Sequence, residues 1–422
     1  MKPSVLVVGG GMVGLAFGLA VKHALPEAAV RILEARALPT DTNPNPLDTR
    51  ASALNLASAA ILRRFGVAER LLPMGAPIRR IHVSNQHRFG STLMSAEELG
   101  EPCLGWVVDN HLIGRALQLV ADKQGVVVQA PCDVVRLIRG QSPAVELGDG
   151  SQLSADLVIV ADGAHSSFRE QLGIGADQRD VQQVALVANC LFEGAQQGTA
   201  FERFTRHGPL ALLPLPHAIP GQQRFNLVWS MAPDQADQYS QVDNGELMSA
   251  LQQAFGWRLG AVIDMGLRSR WPLIRVRAQE QIRQGYLVAG NAAHGLHPVA
   301  GQGLNLSLRD SWALAETVAT AAARGEALGS ITALRRYEQA VAADQERTVA
   351  ATDTLATLFS PAFWGLNTPR DLALAGLDLV PPLRRWVARR GTAAGRPMGR
   401  LLTTTATTAT AAATMASAEA PS

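Results

Sequence analysis

Short apolar runs, glycine-rich turns and stretches of helical periodicity alternate along this chain, and the pattern predicts elements before any chemistry is considered. Ser4–Val8 is a short apolar run, followed by an Ala/Leu-rich helix to about His23, and Val30–Glu34 supplies a second strand. After a Pro/Asn/Thr-rich loop from Leu38 to Leu47, the pattern predicts a helix opened by Asp48 and running to about Phe65, with Gly66 as its stop. Ile78–Asn85 alternates like a strand. Gly105–Val108 starts another, and Asp109 is placed to cap a helix reaching about Asp122. Val126–Gln129, Val134–Ile138 and Ala144–Leu147 read as strands, with Asp149-Gly150 as a hairpin signal. Asp156–Ala161 is continuously apolar, as a strand buried on both faces would be.

Between Val181 and about Pro272 the pattern changes to strands broken by Pro and Gly: Val184–Phe192, Thr199–Phe204, Leu210–Leu213 and Phe225–Met231. A helix over Asn244–Phe255 and a strand near Arg268–Arg275 complete that block. His207, Trp229 and Arg203 within it read as ordinary sheet residues. Tyr286–Ala289 is again a buried strand, and helical periodicity follows over Leu304–Arg324 and Ile331–Leu358, with shorter pieces from Leu372 to Arg390 around Pro381-Pro382. Thr403–Ser422 has no periodicity and almost no charge. It lacks the apolar surface to offset its ordering entropy and is expected to be disordered.

Composition narrows the class. A chain of 422 residues is too long for one ordinary core. Its 47% apolar and 18% charged content suits a globular protein. A formal charge of +2, without a basic run interleaved with aromatics, argues against nucleic acid as a partner. Cys103, Cys132 and Cys190 are odd in number and lack metal-ligand spacing, so no metal site is expected and free thiols in a reducing compartment are. The first strand begins by Ser4, which leaves no room for a signal peptide, and no apolar stretch approaches a membrane span.

Three motifs carry chemistry. Gly9-Gly10-Gly11-Met12-Val13-Gly14 has a strand before it and a helix after it, the setting a dinucleotide fingerprint requires. Gly9 permits the turn, Gly11 lets a pyrophosphate approach the backbone, and Gly14 lets the helix pack on the strand. Glu34, twenty residues beyond Gly14, ends the second strand with a carboxylate able to hold a ribose diol. Asp162-Gly163, followed by Ser166 and Arg169, forms a strand-turn-helix corner. In it Ser166 can cap the helix, and Arg169 can pin Asp162 or meet a phosphate. The third stretch, Gly290-Asn-Ala-Ala-His-Gly-Leu-His-Pro-Val-Ala-Gly-Gln-Gly-Leu-Asn305, links a buried strand to a helix. Its Gly301-Gln302-Gly303 turn offers backbone N–H groups where the helix dipole favours an anion.

This third stretch resembles the last flavin motif of the FAD-dependent aromatic hydroxylases, whose usual form is G-D-A-A-H, a Pro, then G-Q-G and an Asn. Asn291 replaces the usual Asp, and with His297-Pro298 it looks most like the UbiH-type branch, the 2-octaprenyl-6-methoxyphenol hydroxylases of ubiquinone synthesis. The Asp162-Gly163 corner matches a second family element that helps hold FAD. The resemblance covers about Ser4 to Leu402. It implies an α/β fold: a glutathione-reductase-type, Rossmann-like FAD-binding domain with a parallel sheet, an inserted β-sheet substrate domain and a C-terminal helical region. The FAD-binding domain would be discontinuous over 1–75, 104–178 and 279–328. The substrate domain would take 76–103 and 179–278, the helical region 329–402, and the tail 403–422.

The resemblance implies FAD contacts at Gly9, Gly11, Gly14, Glu34, Arg50, Asp162, Gly163, Asn291, Gly301, Gln302, Gly303 and Asn305. Arg50 falls where the family keeps an Arg on the FAD, and an arginine solvating a helix start is the alternative reading. Asn110, His111 and Arg115 stand where family members make further contacts, although His111 replaces a common Arg. With no second glycine fingerprint, NAD(P)H would reduce the flavin and leave. Dioxygen would then give a flavin C4a-hydroperoxide that oxygenates a polyprenyl phenol. His294 and His297 are the candidates for taking the phenol proton, and Pro298 would shape the pocket. A sister enzyme acting at another ring position or on another apolar aromatic, and a non-catalytic flavin scaffold of a quinone-synthesis complex, are the alternatives.

Such a substrate implies a cytoplasmic protein with a peripheral position on the inner face of the cell membrane, beside other ubiquinone-biosynthesis proteins. Leu383, Trp386 and Val387 fall on one helical face beside Arg384, Arg385, Arg389 and Arg390, a pattern suited to anionic headgroups. The same segment reads equally as a helix packed on the FAD domain with solvated arginines.

Overall fold

The computed structural model describes residues 2–38, 45–140, 142–194, 196–216, 221–296, 301–358 and 367–392. The strand Ser4–Val8 alternates its side chains between two cores. Val5 and Val7 join one, and Leu6 and Val8 the other. A strand wanted on both faces belongs in the interior of a sheet, and here it pairs in parallel with Ala29–Leu33 on one side and Leu157–Val160 on the other. Val127–Gln129 and Tyr286–Val288 extend this sheet in parallel, and Ile282–Arg283 closes one edge antiparallel. Helices Met12–Ala24, Asn110–Lys123 and Gln302–Ala323 cover one face through Leu19, Leu117 and Leu314, none with measurable exposure. Each such burial is worth roughly 1.5–3 kcal/mol. A small sheet of Val134–Ile138, Ala144–Leu147 and Gln152–Ser154 covers the other face.

A second, larger sheet forms a platform. It is built chiefly from Arg80–Asn85, Ser91–Ser95, Ala176–Phe192, Thr199–Thr205, Gly208–Pro214, Gln223–Met231 and Ser269–Ala278. One face packs under helices Pro233–Gln241 and Asn244–Phe255 through Leu186, Phe201, Leu212, Phe225 and Leu227. The opposite face meets a three-stranded sheet of Ala51–Asn55, Gly105–Asp109 and Ala76–Ile78, where Ala200 and Leu215 join Ile78 and Val107. The helix Ile331–Leu358 is tied to Gln302–Ala323 by Arg309 Nε, which donates to Asp344 Oδ2 at 2.6 Å. Asn367–Leu379 and Pro381–Thr392 lie along the platform's edge, held by Arg88 on Asp371 and Arg384 on Glu98.

The expected fold class is therefore what the chain adopts: a parallel nucleotide-binding sheet, a β-sheet platform and helices at the C-terminal end. Several elements differ from expectation. The helix predicted from Asp48 begins only at Leu56. Ala51–Asn55 is instead a strand, drawn into pairing with Gly105–Asp109, and Asn55 caps the shortened helix by accepting from Ser58 N at 2.9 Å. Asp109 occupies the N-cap position, yet its carboxylate accepts from Thr49 Oγ1 and Arg224 rather than from the helix. The strands Ser91–Ser95 and Val262–Met265 and the helix Pro233–Gln241 were not anticipated. The 403–422 tail lies outside the described residues.

All three cysteines are free and buried, and burial pushes each thiol up from its ordinary range. Among the described residues no helix is long and apolar enough to cross a membrane, and no His/Cys/Asp/Glu group could hold a metal ion.

Candidate active site

Four loops at the C-terminal ends of the parallel strands converge, as expected of ligand loops on an open α/β sheet. At the first, Gly9 takes a φ of +107° and its N–H donates to Leu33 O at 2.8 Å. A Cβ on Gly14 would lie 1.9 Å from Gly9 O, and one on Gly10 would lie 2.7 Å from Glu34 Cβ, so both glycines are demanded by close packing. Gly11 is different. A Cβ there would meet nothing within 4 Å, which leaves open space in front of the helix start. Glu34 Oε2 accepts from Gly10 N at 2.6 Å and Oε1 from Arg36 N at 3.1 Å. These two bonds fix the carboxylate beside the loop and leave acceptor positions for a diol.

The Asp162 corner folds as its sequence suggests at one point and departs at another. Ser166 Oγ accepts from Arg169 N at 3.0 Å and caps the short helix Ser167–Gln171. Arg169 is almost wholly buried and donates to Ala292 O at 3.0 Å, which ties this corner to the Asn291 turn; it does not pin Asp162. Asp162 Oδ1 is buried without a hydrogen-bond partner among the described residues, and burial raises its pKa above the ordinary value. Gly163 has a φ of +98° and open space where a Cβ would be.

The third motif is anchored by Asn305. Its Oδ1 accepts from Asn55 N and Ser58 Oγ at 2.9 and 2.7 Å. Its Nδ2 donates to Ala53 O and Gly301 O at 2.8 and 2.7 Å. That uses the full capacity of the amide, so Asn305 braces the loop and has no donor left for a ligand. Gly301 takes a φ of +58° as the N-cap of Gln302–Ala323, and a Cβ on Gly303 would meet nothing within 4 Å. Asn291 is exposed on a turn and its side chain makes no hydrogen bond among the described residues. His294 is 3% exposed and its Nε2 lies 2.6 Å from Asp310 Oδ2, which also accepts from Gln345 at 3.0 Å. It is locked into an internal network, and its Nδ1 has no partner among the described residues. His297 and Pro298 lie outside the described residues.

Arg50 is exposed and its guanidinium lies 4.6 Å from the centroid of the Trp271 ring, a platform residue. Trp271 stands far from Arg50 in sequence, so no local pattern announces the pair. The link between Asp109, Thr49, Arg224, Asn189 and Asn226, which joins the platform to the nucleotide-binding part, is invisible in the sequence for the same reason. Asn110 Oδ1 accepts from Ser52 Oγ at 2.7 Å, Arg115 is exposed, and His111 Nδ1 is buried without a partner among the described residues. His207, Trp229 and Arg203 belong to the far, helix-covered side of the platform: Trp229 has no measurable exposure, and Arg203 donates to Ala254 O at 3.0 Å. A surface cavity of about 680 Å³ on that side, lined by Arg88, Arg203 and Arg258, shares no residue with the glycine loops.

Whether these loops fit FAD is tested by their unsatisfied groups. The helices Met12–Ala24 and Gln302–Ala323 both start at a glycine, without a side-chain cap and without an acid in the first turn. Three other helices are capped by Asn55, Ser166 and Asp243, whereas Ala68–Leu71, Asn110–Lys123 and Pro233–Gln241 also lack a side-chain cap. What sets these two starts apart is the glycine at the helix start with open space in front of it. Uncapped N–H groups behind open glycines, together with the orphan Asp162 oxygen, suit a ligand carrying a pyrophosphate, a polyol and an electron-accepting ring. The residues present fit the group.

Comparison with known proteins agrees with that chemistry. Residues 2–352 match the family model described as FAD binding domain. The chain is 31% identical to 3-demethoxyubiquinol 3-hydroxylase of Escherichia coli, over 90% of this chain and 96% of that protein. It is 32% identical to ubiquinone hydroxylase UbiL of Rhodospirillum rubrum, over 91% of this chain and 88% of that one. Among solved structures, Klebsiella pneumoniae HpxO complexed with FAD superposes with a TM-score of 0.73 at 18% identity, covering 94% of this chain and all (100%) of that one, a likeness of fold.

Proposed function

The chain belongs to the FAD binding domain family, and on that premise we propose that it is an FAD-dependent monooxygenase that hydroxylates the ring of a polyprenyl-methoxyphenol in ubiquinone biosynthesis, using NAD(P)H and dioxygen. The observation that carries the reading is the pair of helix starts that open on glycine with free space in front of them, at Gly11 and at Gly301–Gly303. The N–H groups behind Gly11 hold the pyrophosphate, Glu34 the ribose, and Asp162 Oδ1 a hydroxyl of the ribityl chain. The N–H groups of the helix behind Gly303 and its dipole stabilise negative charge on the ring system. FAD, when bound, supplies the transfer of two electrons from NAD(P)H and of one atom of dioxygen to the substrate. The protein's own contribution is to position the ring and exclude water between the platform and the Ala51–Asn55 strand.

A membrane contact is part of the proposal. Leu379, Val380, Leu383 and Trp386 are exposed at the junction of the last two helices, 80%, 46%, 46% and 51% respectively. Arg385, Arg389 and Arg390 are exposed beside them, with Arg390 stacked 4.1 Å over Trp386. Arg384 leaves that group, because it pairs with Glu98 at 2.6 Å and helps fix the helix to the platform edge. Deleting the gene tests the function: the strain should accumulate a prenylated phenol lacking one ring oxygen, and the mass and substitution of that compound give the ring position. Normal quinone with no such intermediate would refute the assignment.

A further inference from the structure

The platform face turned toward the Ala51–Asn55 strand carries a row of residues that the rest of the sheet would lead one to expect buried. Strand register aligns Val83 with Glu202, Glu202 with Ala211, Ala211 with Val228, and Val228 with Val187. All five keep partial exposure across five adjacent strands, although the residues on either side of them in sequence are mostly buried. Their strand neighbours Phe201, Leu212, Leu227 and Leu186 point the other way, into the core beneath the two platform helices. Ala200, two residues from Glu202 and so on its face, packs in one cluster with Ala51 and Ala53, and the Ala53 carbonyl accepts from Asn305 beside Gly301. The row therefore forms a floor on the sheet face turned toward the strand that Asn305 ties to the third flavin motif.

Four members of that floor are apolar, and the fifth is a carboxylate. Glu202 has no hydrogen bond or ion pair among the described residues, and burial alone pushes its pKa up to about 7. Charged groups near it are turned away or engaged. Arg203 and His82 lie on the opposite face, where Arg203 donates to Ala254 and Ser84 and His82 meets Arg258. On the same face, Asp371 is held by Asn85 and Arg88, and Asp109 by Arg224. An unpartnered acceptor facing an apolar floor matches a ligand that is apolar everywhere except at one hydroxyl.

We propose that Glu202 is a catalytic residue that accepts the hydrogen bond of the substrate's ring hydroxyl and takes its proton during oxygen transfer. This rests on the functional reading above. The O–H bond breaks as the proton passes to the carboxylate, and the released electron pair raises density at the ring carbon that bonds the incoming oxygen atom. That carbon then loses its hydrogen as a proton and the ring oxygen recovers one, so the carboxylate ends as it began. Dioxygen is the oxidant, NAD(P)H supplies the two electrons, and the second oxygen atom leaves as water. A partly protonated carboxyl near neutral pH is poised for such a transfer.

The test uses the FAD-loaded enzyme with a short-chain prenylated methoxyphenol in detergent, comparing wild type with Glu202→Gln and Glu202→Asp. Glu202→Gln should keep full FAD and wild-type flavin reduction by NAD(P)H, lose about 100-fold in hydroxylation kcat, and lose the acid limb near pH 7. Glu202→Asp should restore part of the rate together with an acid limb. An independent readout is stability. The unfolded carboxyl ionises near pH 4.5, whereas the folded one holds its proton to about 7, so wild-type stability should fall as pH rises through that window. In Glu202→Gln that slope should disappear. Hydroxylation by Glu202→Gln at the wild-type rate with the acid limb intact overturns the role of Glu202 alone. Failure of the wild type to hydroxylate any prenylated phenol overturns the functional reading, and this proposal with it.

Discussion

Gly11 and Gly14 sit three residues apart in one motif, yet the structure gives them opposite consequences on substitution. Gly11 has φ −66° and ψ 178°, a conformation open to any residue, and a Cβ there meets nothing within 4 Å. Gly11→Ala should therefore leave the apoprotein as stable as wild type or raise it by about 0.4–1 kcal/mol, by restricting the unfolded chain. The free space is where the pyrophosphate belongs, so Gly11→Leu should block two charge-assisted N–H contacts. At about 1.5 kcal/mol each, their loss is worth roughly 3 kcal/mol, or a fall of about 100-fold in FAD affinity. Gly14→Ala would place a Cβ 1.9 Å from Gly9 O. Helix and strand must then separate by more than 1 Å, with an overpacking cost of about 1–3 kcal/mol or more. Circular-dichroism melts of apoprotein and fluorescence titration with FAD separate the two effects. Gly11→Leu should melt normally and bind poorly, whereas Gly14→Ala should melt early. Full FAD occupancy in a folded Gly11→Leu variant would refute the assignment of this loop to the cofactor.

Four further outcomes are expected. Arg224→Met leaves the Asp109 carboxylate, 7% exposed and 3.0 Å from the lost guanidinium, without its charge partner, and should destabilise by about 3–5 kcal/mol. Adding Asp109→Asn should recover part of that loss in a denaturant-based double-mutant cycle, and strict additivity would show the pair uncoupled. Asn291→Asp should keep FAD affinity while Asn291→Ala loses about 1 kcal/mol; equal affinity in Ala and wild type would mean that the exposed side chain makes no cofactor contact. His82 is lowered to about 4, first by burial and then by Arg258 and Arg203. The unfolded state takes its proton near 6.5, so stability should fall as pH drops from there toward 4, and His82→Gln should flatten that slope. Replacing Arg385, Arg389 and Arg390 by Gln should abolish salt-sensitive flotation with anionic liposomes without altering the flavin spectrum, and undiminished flotation would remove this segment as the membrane contact.

The parts of the molecule legible in the sequence are those whose cause is local. Ser4–Val8, Asp156–Ala161 and the helix after Gly303 announce themselves through apolar runs and periodicity, and Ser166 caps the helix that its position predicts. What the sequence hid depends on partners far along the chain. Ala51–Asn55 reads as the start of a helix because its partner, Gly105–Asp109, lies some fifty residues later. Asp109 looks like a cap until Arg224 arrives from the platform to claim it. Asn305 looks like a ligand contact because its four internal partners, on the strand Ala51–Asn55, the helix that follows it and the Gly301 turn, have no signature in spacing. Arg50 likewise gains its aromatic partner only when Trp271 folds against it.

The account stands most directly on where the new ring oxygen originates. Purified protein loaded with FAD, supplied with NAD(P)H, a short-chain prenylated methoxyphenol and ¹⁸O₂, should yield a product bearing one additional oxygen atom, labelled with ¹⁸O, at the expense of one NAD(P)H. Oxygen drawn from water instead, or oxidation of NAD(P)H with no ring-hydroxylated product, would contradict it.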